Sequence, residues 1–297
     1  MEVRQQLCFR AQSNHERLDY FLKCQGISHR IITKLKYIGC LLVNGQAVTT
    51  RHPVMAGDEV TLMFPRETEL SCQPEEGEFC ILYEDCDLLA VDKPYGIATH
   101  PALGTAKGTL GNFVTQYYVK NGYPMPFRPV SRLDKTTSGV LIIAKHGLAH
   151  HTLSNQKQDG TFQKHYLALV SGKPEQKSGE ITFPIRRESE SSLKRLCDDK
   201  GKPAHTSYRV LAENGNISLL ELKIKTGRTH QIRVHLSQIG HPIVGDTMYG
   251  GIPAKRLYLH SYRAEFTHPV TKEAMRLTAP SDFKHLLLSI ENEDFSL

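Results

Sequence analysis

The first part of the chain alternates apolar and polar positions in a way that predicts two short helices and a hairpin. Apolar residues recur at helical spacing over residues 18–22 and 31–35, and Ser28 is suited to cap the second helix. The dipeptide Asn44-Gly45 lies between two apolar segments, which is a strong signal for a two-residue hairpin turn. A further strand pattern follows at residues 60–64. These residues therefore predict a small module of helices and antiparallel strands.

A longer stretch that begins at residue 79 combines strand and helix patterns. Strand patterns cover residues 79–83, 88–91, 140–144, 164–170, 206–211 and 217–224, and helical patterns cover residues 110–118 and 229–239. A second Asn-Gly pair, Asn214-Gly215, joins the last two strands, so these strands should pair antiparallel. Because helices are interspersed, we expect an α+β fold with a mixed, mainly antiparallel sheet flanked by helices.

A polar and acidic segment separates the two regions. Residues 67–78 contain several glutamates and are interrupted by Pro74 and Gly77, which is typical of a linker. The chain is thus predicted to have a small domain at residues 1–66, a linker at 67–78 and a larger domain at 79–297.

Composition and charge agree with a globular protein that binds a polyanion. Hydrophobic residues make up 39% of the chain and charged residues 23%, and the net charge is +6. The seven cysteines include no Cys-x-x-Cys pair, which argues against a disulfide framework and a structural zinc site. Residues 1–6 are too polar for a signal peptide, so we expect a cytoplasmic protein, a monomer without a membrane partner.

Residues 131–139, Ser-Arg-Leu-Asp-Lys-Thr-Thr-Ser-Gly, place one acid between an arginine and several hydroxyls, directly before the buried strand pattern at 140–144. A rigid strand positions a preceding loop residue well, so Asp134 is a candidate catalytic carboxylate. The alternative from the residues alone is an aspartate that caps a turn.

A second segment with candidate chemistry covers residues 225–236. It predicts a strand end, a glycine turn, Thr229 as N-cap, and a helix with Ile232 and Leu236 on its buried face. Arg233 then lies at the edge of the buried face and needs an anionic partner, either an internal carboxylate or a phosphate. His230 and His235 lack the spacing that aligns metal ligands on a helix, so we predict no metal site.

Four ordered motifs resemble those of the RluA-type pseudouridine synthases, and the likeness covers about residues 79–280. The motifs are Ser131-Arg132-Leu133-Asp134-x-x-Thr137-Ser138-Gly139, Lys164-x-Tyr166-x-Ala168, Gly227-Arg228-Thr229-His230-Gln231-Ile232-Arg233-x-His235 and Gly240-His241-Pro242-Ile243-x-Gly245-Asp246-x-x-Tyr249-Gly250. Asp92-Lys93-Pro94-x-Gly96 also fits. The chain departs from the family at Ser131, where members commonly carry histidine.

The resemblance implies cleavage of the N1 glycosidic bond of a flipped-out uridine and its re-formation through C5, without a cofactor. It makes Asp134 the catalytic carboxylate, which either attacks C1′ or removes the 2′ proton. It also implies that Arg233 is the basic partner of Asp134 and that Tyr166 stacks on the uracil. Arg132 would enter the RNA and help to hold the flipped nucleotide.

Further RNA contacts are expected on both domains. Lys164, Arg228 and His230 are candidates for phosphate contacts, with structural support as the alternative. The helices and hairpin of residues 15–64 resemble an S4-type RNA-binding module, whose second helix carries Arg30, Lys34 and Lys36.

The combination of the two domains resembles the ribosomal-RNA branch of the family. The expected substrate is therefore large-subunit ribosomal RNA, with transfer RNA as the alternative. A non-catalytic RNA-binding or ribosome-assembly protein is the alternative from another functional class, and a glycosidase that releases free uracil is a third.

Overall fold

The computed structural model describes residues 6–38, 40–65, 67–102 and 106–289. Residue 66, where the small domain was predicted to end, lies outside these ranges. Within them, no helix combines the length and the apolar composition needed to cross a lipid bilayer.

The N-terminal elements form a small antiparallel sheet with two helices. Their bounds are β1 Gln6–Arg10, α1 Leu18–Cys24, α2 His29–Tyr37, β2 Leu41–Val43, β3 Gln46–Ala47 and β4 Glu59–Met63. The strand order is β1-β4-β2-β3. Ser28 caps α2 as predicted, since its Oγ accepts a hydrogen bond from the Ile31 amide. β1, a short strand at the edge of this sheet, was not predicted from the sequence.

The remaining elements build a larger unit around a nine-stranded sheet. Their bounds are β5 Cys80–Glu84, β6 Leu88–Lys93, α3 Leu110–Lys120, β7 Ser138–Ala144, α4 Gly147–Asp159, β8 Gln163–Ser171, β9 Ser178–Ile181, β10 Ile185–Arg187, β11 Arg195–Cys197, β12 Thr206–Asn214, β13 Ile217–Ile224, α5 Gln231–Gln238, a 3₁₀ turn Thr247–Tyr249, β14 Leu259–Thr267, β15 Ala274–Thr278 and α6 Phe283–Ser289. The sheet order is β5-β6-β7-β14-β8-β13-β12-β9, with β15 on β14. Among the described strands, only β7 and β14 pair in parallel, so the predicted mixed, mainly antiparallel sheet is confirmed.

Helices cover both faces of this sheet. Alternate residues of β6 and β7 point to opposite faces, as strand geometry requires. Leu141 and Ile143 pack in the core formed with α3 and α5, whereas Val140 and Ile142 pack on the side of α4. Both faces of β7 are buried, which explains its uninterrupted apolar run.

The N-terminal unit packs against the larger one. Leu148 of α4 belongs to the same apolar cluster as the core of the N-terminal sheet. Phe64 stacks on His146, with ring centroids 5.8 Å apart. Glu67 forms ion pairs with both Lys34 of α2 and Arg128 of the larger unit. These contacts join the two units through apolar packing as well as charge.

Candidate active site

The loop that carries Asp134 is fixed by hydrogen bonds on both sides of this residue. Thr99 Oγ1 donates to the Leu133 carbonyl at 2.8 Å, and the Gly96 amide donates to the Lys135 carbonyl at 2.9 Å. The Thr137 amide closes the turn on the Asp134 carbonyl at 3.0 Å. The loop therefore holds the half-buried Asp134 at the N-terminal end of β7, as the sequence predicts.

Among the described residues, the side chains within electrostatic reach of Asp134 include Lys93, Tyr166, His230 and Arg233. The structure thus brings Asp134, Tyr166 and Arg233 together, although they come from a loop, from β8 and from α5.

Lys93, at the end of β6, is a site residue to which the sequence analysis assigned no role. Its side chain is buried, and its ammonium donates hydrogen bonds to the carbonyls of Pro94, Ile97 and Lys135 at 2.8, 2.7 and 3.5 Å. Burial lowers the pKa of Lys93 to about 7, while the charge of Asp134 opposes this shift. Lys93 therefore joins residues 94–97 to the loop that carries Asp134.

Arg233 has an internal carboxylate as its anionic partner. Its Nε and Nη2 donate to the two carboxylate oxygens of Asp246, both at 2.7 Å, and its guanidinium lies 4.9 Å from the ring centre of Tyr249. Burial alone would lower the pKa of Arg233, but the hydrogen bonds to Asp246 and the charges of Asp246 and Asp134 raise it. Arg233 is therefore a permanent positive charge with a fixed orientation.

His230 directly precedes α5 and has a strained backbone conformation. The prediction of Thr229 as N-cap is wrong: His230 occupies the cap in the left-handed region, at φ 57°. The Gln231 side chain organises the turn instead, because its Oε1 accepts hydrogen bonds from the Arg228 amide and Thr226 Oγ1. Sequence spacing gave no sign of this arrangement, since glutamine is not a usual cap residue.

The imidazole of His230 connects the Asp134 site to Tyr249. His230 Nδ1 lies 2.8 Å from the Tyr249 hydroxyl. Burial lowers the pKa of His230, and the charges of Arg233 and Arg195 add to this effect while Asp134 opposes it. These surroundings favour the neutral imidazole of His230.

Tyr166 lies on β8 with only 4% of its surface exposed. Burial and the charge of Asp134 raise the pKa of Tyr166, despite a hydrogen bond with the Ser261 side chain. The phenol therefore stays protonated, and its ring belongs to the same buried apolar cluster as Leu133 and Ile232.

The other residues predicted to contact RNA on this unit have different surroundings. Arg132 is exposed and lies close enough to His100 to contribute to the lowered pKa of that imidazole. Lys164 projects from the same face of β8 as Tyr166, and burial, with the charge of Lys157, lowers its pKa to about 7. Arg228 is exposed, and its Nε donates to the Pro203 carbonyl at 3.0 Å.

The basic residues of α2 are all exposed. Arg30 and Lys34 are four residues apart and share a helix face, whereas Lys36 projects about 120° away from Arg30. Lys34 is paired with Glu67. They belong to the N-terminal unit, so they form a second group of basic residues outside the surroundings of Asp134.

Asp85, Asp87 and His268 are the one group among the described residues whose potential metal-ligand atoms lie close together, within 4.8 Å of one another. His268 Nδ1 lies 3.3 and 3.0 Å from the amides of Val270 and Thr271, so it accepts their hydrogen bonds, and Nε2 donates to Asp85 Oδ2 at 2.9 Å. Both nitrogens are thus engaged within the protein, in a neutral tautomer whose proton faces the carboxylates. This donor set fits a hydrogen-bonded structural cluster and does not fit a metal site.

The chemistry available around Asp134 combines a carboxylate, a fixed guanidinium and a protonated phenol that packs among buried apolar side chains. Such a site can hold a planar base against Tyr166 while the carboxylate acts on the attached sugar. Sequence reasoning missed Lys93, Asp246 and Tyr249 as site residues. Asp246 and Tyr249 did stand in a recognised motif, but nothing in the sequence indicated their contact with Arg233.

Known proteins resemble this chain over the region that contains the residues around Asp134. The family model of RNA pseudouridylate synthases matches residues 87–238. The uncharacterised RNA pseudouridine synthase YhcT of Bacillus subtilis is 40% identical over 250 residues, 82% of this chain and 83% of the relative. The ribosomal large subunit pseudouridine synthase D of Nitrosomonas europaea is 37% identical over 267 residues, 85% of this chain and 77% of that protein.

A solved structure gives the same result for the fold. Human RNA pseudouridylate synthase domain containing 1 superposes with a TM-score of 0.58 at 28% identity, covering 70% of this chain and 87% of that chain. The family match includes Asp134, Tyr166 and Arg233, the residues that the fold brings together. The chain therefore belongs to the RluA-type RNA pseudouridine synthases, enzymes that isomerise uridine to pseudouridine in RNA.

Proposed function

We propose that this enzyme modifies uridines in large-subunit ribosomal RNA and that Asp134 is its catalytic carboxylate. The observation that carries the catalytic assignment is the convergence of Tyr166 and Arg233 on the loop of Asp134. Two relatives that cover most of this chain are named ribosomal large subunit pseudouridine synthase D, which supports the ribosomal substrate.

The proposed reaction begins with a uridine flipped out of the RNA into the site around Asp134. The carboxylate acts at the sugar, either by attack on C1′ or by removal of the 2′ proton, and the N1 glycosidic bond breaks. Tyr166 holds the freed uracil by stacking while the base rotates and C5 bonds to C1′. C5 loses its proton as this bond is completed, N1 gains a proton in its place, and the carboxylate is released unchanged. Arg233, fixed by Asp246, keeps a positive charge beside the carboxylate.

The remaining basic residues are proposed to bind the RNA around this site. Arg132, which is exposed in the loop of Asp134, is placed to contact the RNA next to the flipped nucleotide. The N-terminal unit is proposed to act as an S4-like RNA-binding module through α2, since Arg30 and Lys36 are exposed. We also propose that the chain divides as the sequence predicts, into a small domain at residues 1–66, a linker at 67–78 and a larger domain at 79–297.

The substrate is tested by mapping pseudouridines with carbodiimide labelling and primer extension in total RNA from cells with and without the protein. The proposal predicts that one or more pseudouridines of large-subunit ribosomal RNA disappear without the protein. Loss confined to transfer RNA would contradict the ribosomal assignment while leaving the chemistry intact. Product analysis with purified protein is the complementary assay, because release of free uracil would indicate a glycosidase.

A further inference from the structure

Arg256 lies shortly before β14, and its half-buried guanidinium forms no ion pair with a carboxylate among the described residues. Its Nη2 donates instead to the Ser138 hydroxyl at 2.6 Å. The guanidinium also lies 5.0 Å from the ring centre of Tyr95 and 5.6 Å from that of Phe283. Aromatic faces attract a cation and hold it without neutralising it. Arg256 therefore connects three segments that are distant in sequence: the start of β7, the loop after β6, and α6.

The hydroxyl of Ser138 is held by two partners of opposite role. Ser138 is the first residue of β7 and follows Asp134 by four positions. Because a guanidinium can only donate, Ser138 Oγ accepts from Arg256 and leaves its own proton for His260 Nδ1, 2.8 Å away. Burial lowers the pKa of His260 to about 4, so the imidazole is neutral and Nδ1 can accept this bond. The orientation of Ser138 is therefore fixed.

The loop after β6 links Arg256 to the other side of Asp134. Tyr95 packs against the guanidinium, and the amide of the adjacent Gly96 donates to the Lys135 carbonyl at 2.9 Å. Lys135 directly follows Asp134. Arg256 therefore supports the loop of Asp134 twice, directly at the start of β7 and through Tyr95 at Lys135.

The backbone of Arg256 packs against the segment that carries Asp246. A Cβ on Gly245 would lie 1.8 Å from the Arg256 carbonyl oxygen, so the two segments are in close contact. Gly245 directly precedes Asp246. Arg256 thus borders the segments of both carboxylates of the site, that of Asp134 through its side chain and that of Asp246 through its backbone.

We propose that Arg256 is a positioning residue that holds the Asp134 loop in its productive position. Its guanidinium, placed by the rings of Tyr95 and Phe283, sets the position of Ser138 and with it the end of the loop. Because Phe283 belongs to α6, this helix supports the site through Arg256. A small displacement of a reacting group lowers the rate of the chemical step more than it lowers affinity. This inference rests on the proposed function, since it requires Asp134 to be the catalytic carboxylate.

The test replaces Arg256 with Met and with Lys. Single-turnover rates at saturating RNA, and Kd, are measured on a 5-tritiated transcript of large-subunit ribosomal RNA. Arg256→Met keeps an apolar stem but loses the hydrogen bond, so the rate should fall about 30-fold while Kd changes by less than about threefold. Arg256→Lys can still donate one bond to Ser138, so its rate should lie within about fivefold of wild type.

Arg263→Met is the matched control. Arg263 is also partly buried, and its guanidinium lies 5.1 Å from the ring centre of Tyr262, but its ion pairs are with Glu221 and Glu265. This variant should lose stability as well, because it leaves two carboxylates without their partner. Its single-turnover rate should nevertheless stay within about twofold of wild type. An equal fall in rate in Arg256→Met and Arg263→Met would indicate a general loss of stability and overturn the positioning role.

A double-variant cycle tests whether Arg256 acts through Ser138. Ser138→Ala alone should lower the rate about 10-fold, and the rate of Arg256→Met/Ser138→Ala should lie within about twofold of Arg256→Met. Should Arg256→Met not fold, Arg256→Lys takes its place in the cycle, and its effect should again be less than multiplicative with that of Ser138→Ala. Multiplicative effects, or a wild-type rate in Arg256→Met, would overturn the inference. The proposed function fails separately, if Asp134→Asn retains turnover or the wild-type enzyme forms no pseudouridine in ribosomal RNA.

Discussion

At the scale of single residues, the ion pair between Arg233 and Asp246 determines where the positive charge of the site lies. Both side chains are buried, and the guanidinium donates two hydrogen bonds of 2.7 Å to the carboxylate. A buried charge is costly without its partner, so each residue depends on the other for its stable position. We therefore propose that Asp246 is a positioning residue that acts on Asp134 through Arg233.

Replacing Asp246 with Asn should lower both stability and turnover. The variant leaves a buried guanidinium with a neutral partner, which should reduce the free energy of unfolding by about 3–5 kcal/mol. The released guanidinium no longer holds one orientation, so kcat should fall by at least about 10-fold with a smaller change in KM. Urea unfolding and a tritium-release assay measure the two effects.

The matched control for this change is Glu213→Gln, which breaks an ion pair between Glu213 and the exposed Lys177. That variant should change stability by less than about 1 kcal/mol. Wild-type kcat in a folded Asp246→Asn variant would contradict a positioning role for Asp246.

At the scale of secondary-structure elements, the parallel pair of β7 and β14 fixes the end of the Asp134 loop. Ser138 and Gly139 pair with His260 and Ser261. The strands approach so closely that a Cβ on Gly139 would lie 2.2 Å from the Ser261 carbonyl oxygen, and φ of Gly139 is 112°. Glycine is therefore required here by both space and backbone conformation.

Gly139→Ala should destabilise the protein by more than about 3 kcal/mol and abolish turnover, because the strands must separate to admit the methyl group. Gly227→Ala is the control: no atom lies within 4 Å of the added Cβ, and φ of Gly227 is not positive. Thermal unfolding of the two variants compares them directly. Equal stability would show that the close contact between β7 and β14 is unimportant.

Elements with a strong local signal could be predicted from the sequence. The Asn44-Gly45 turn was predicted, and both of its residues have positive φ as a tight hairpin requires. The strand β14 gave no such signal, because its buried positions include the polar His260 and Ser261. Their burial depends on partners distant in sequence, such as Ser138, which lies 2.8 Å from His260 Nδ1.

The same distinction applies to the site. Asp134, Tyr166 and Arg233 were predicted because each lies in a motif with a family precedent. Lys93 donates hydrogen bonds to carbonyls of two separate loops. Asp246 contacts Arg233 only because the chain folds back on α5. Such contacts follow from tertiary packing, and no local pattern encodes them.

At the scale of the whole molecule, the N-terminal unit is docked on the larger one through an apolar contact and two ion pairs. Leu148 packs in the N-terminal apolar core, and Glu67 forms ion pairs with one residue of each unit. This docking leaves Arg30 and Lys36 exposed and engages Lys34 at the boundary. The unit can thus extend the RNA-binding surface while Lys34 helps to maintain its orientation.

Arg30→Gln/Lys36→Gln in the full chain should weaken RNA binding and leave the chemical step unchanged. If each residue contacts one phosphate, the salt slope of binding should fall by about 1.5 and Kd should rise several-fold. Binding at several salt concentrations and single-turnover rates measure the two effects. Lys120→Gln/Lys177→Gln is the control, because it removes the same charge from two exposed lysines that are paired with Glu76 and Glu213. A salt slope identical to that of the control would remove the N-terminal unit from the RNA-binding surface.

Pseudouridine formation by Asp134→Asn tests whether Asp134 performs the isomerisation. Single-turnover conversion of 5-tritiated RNA should fall by about 10⁴-fold or more, because the amide can neither attack C1′ nor remove a proton. RNA affinity, measured in the same samples, should stay within about threefold of wild type. Turnover within about 10-fold of wild type would contradict the catalytic role of Asp134 and require another catalytic group.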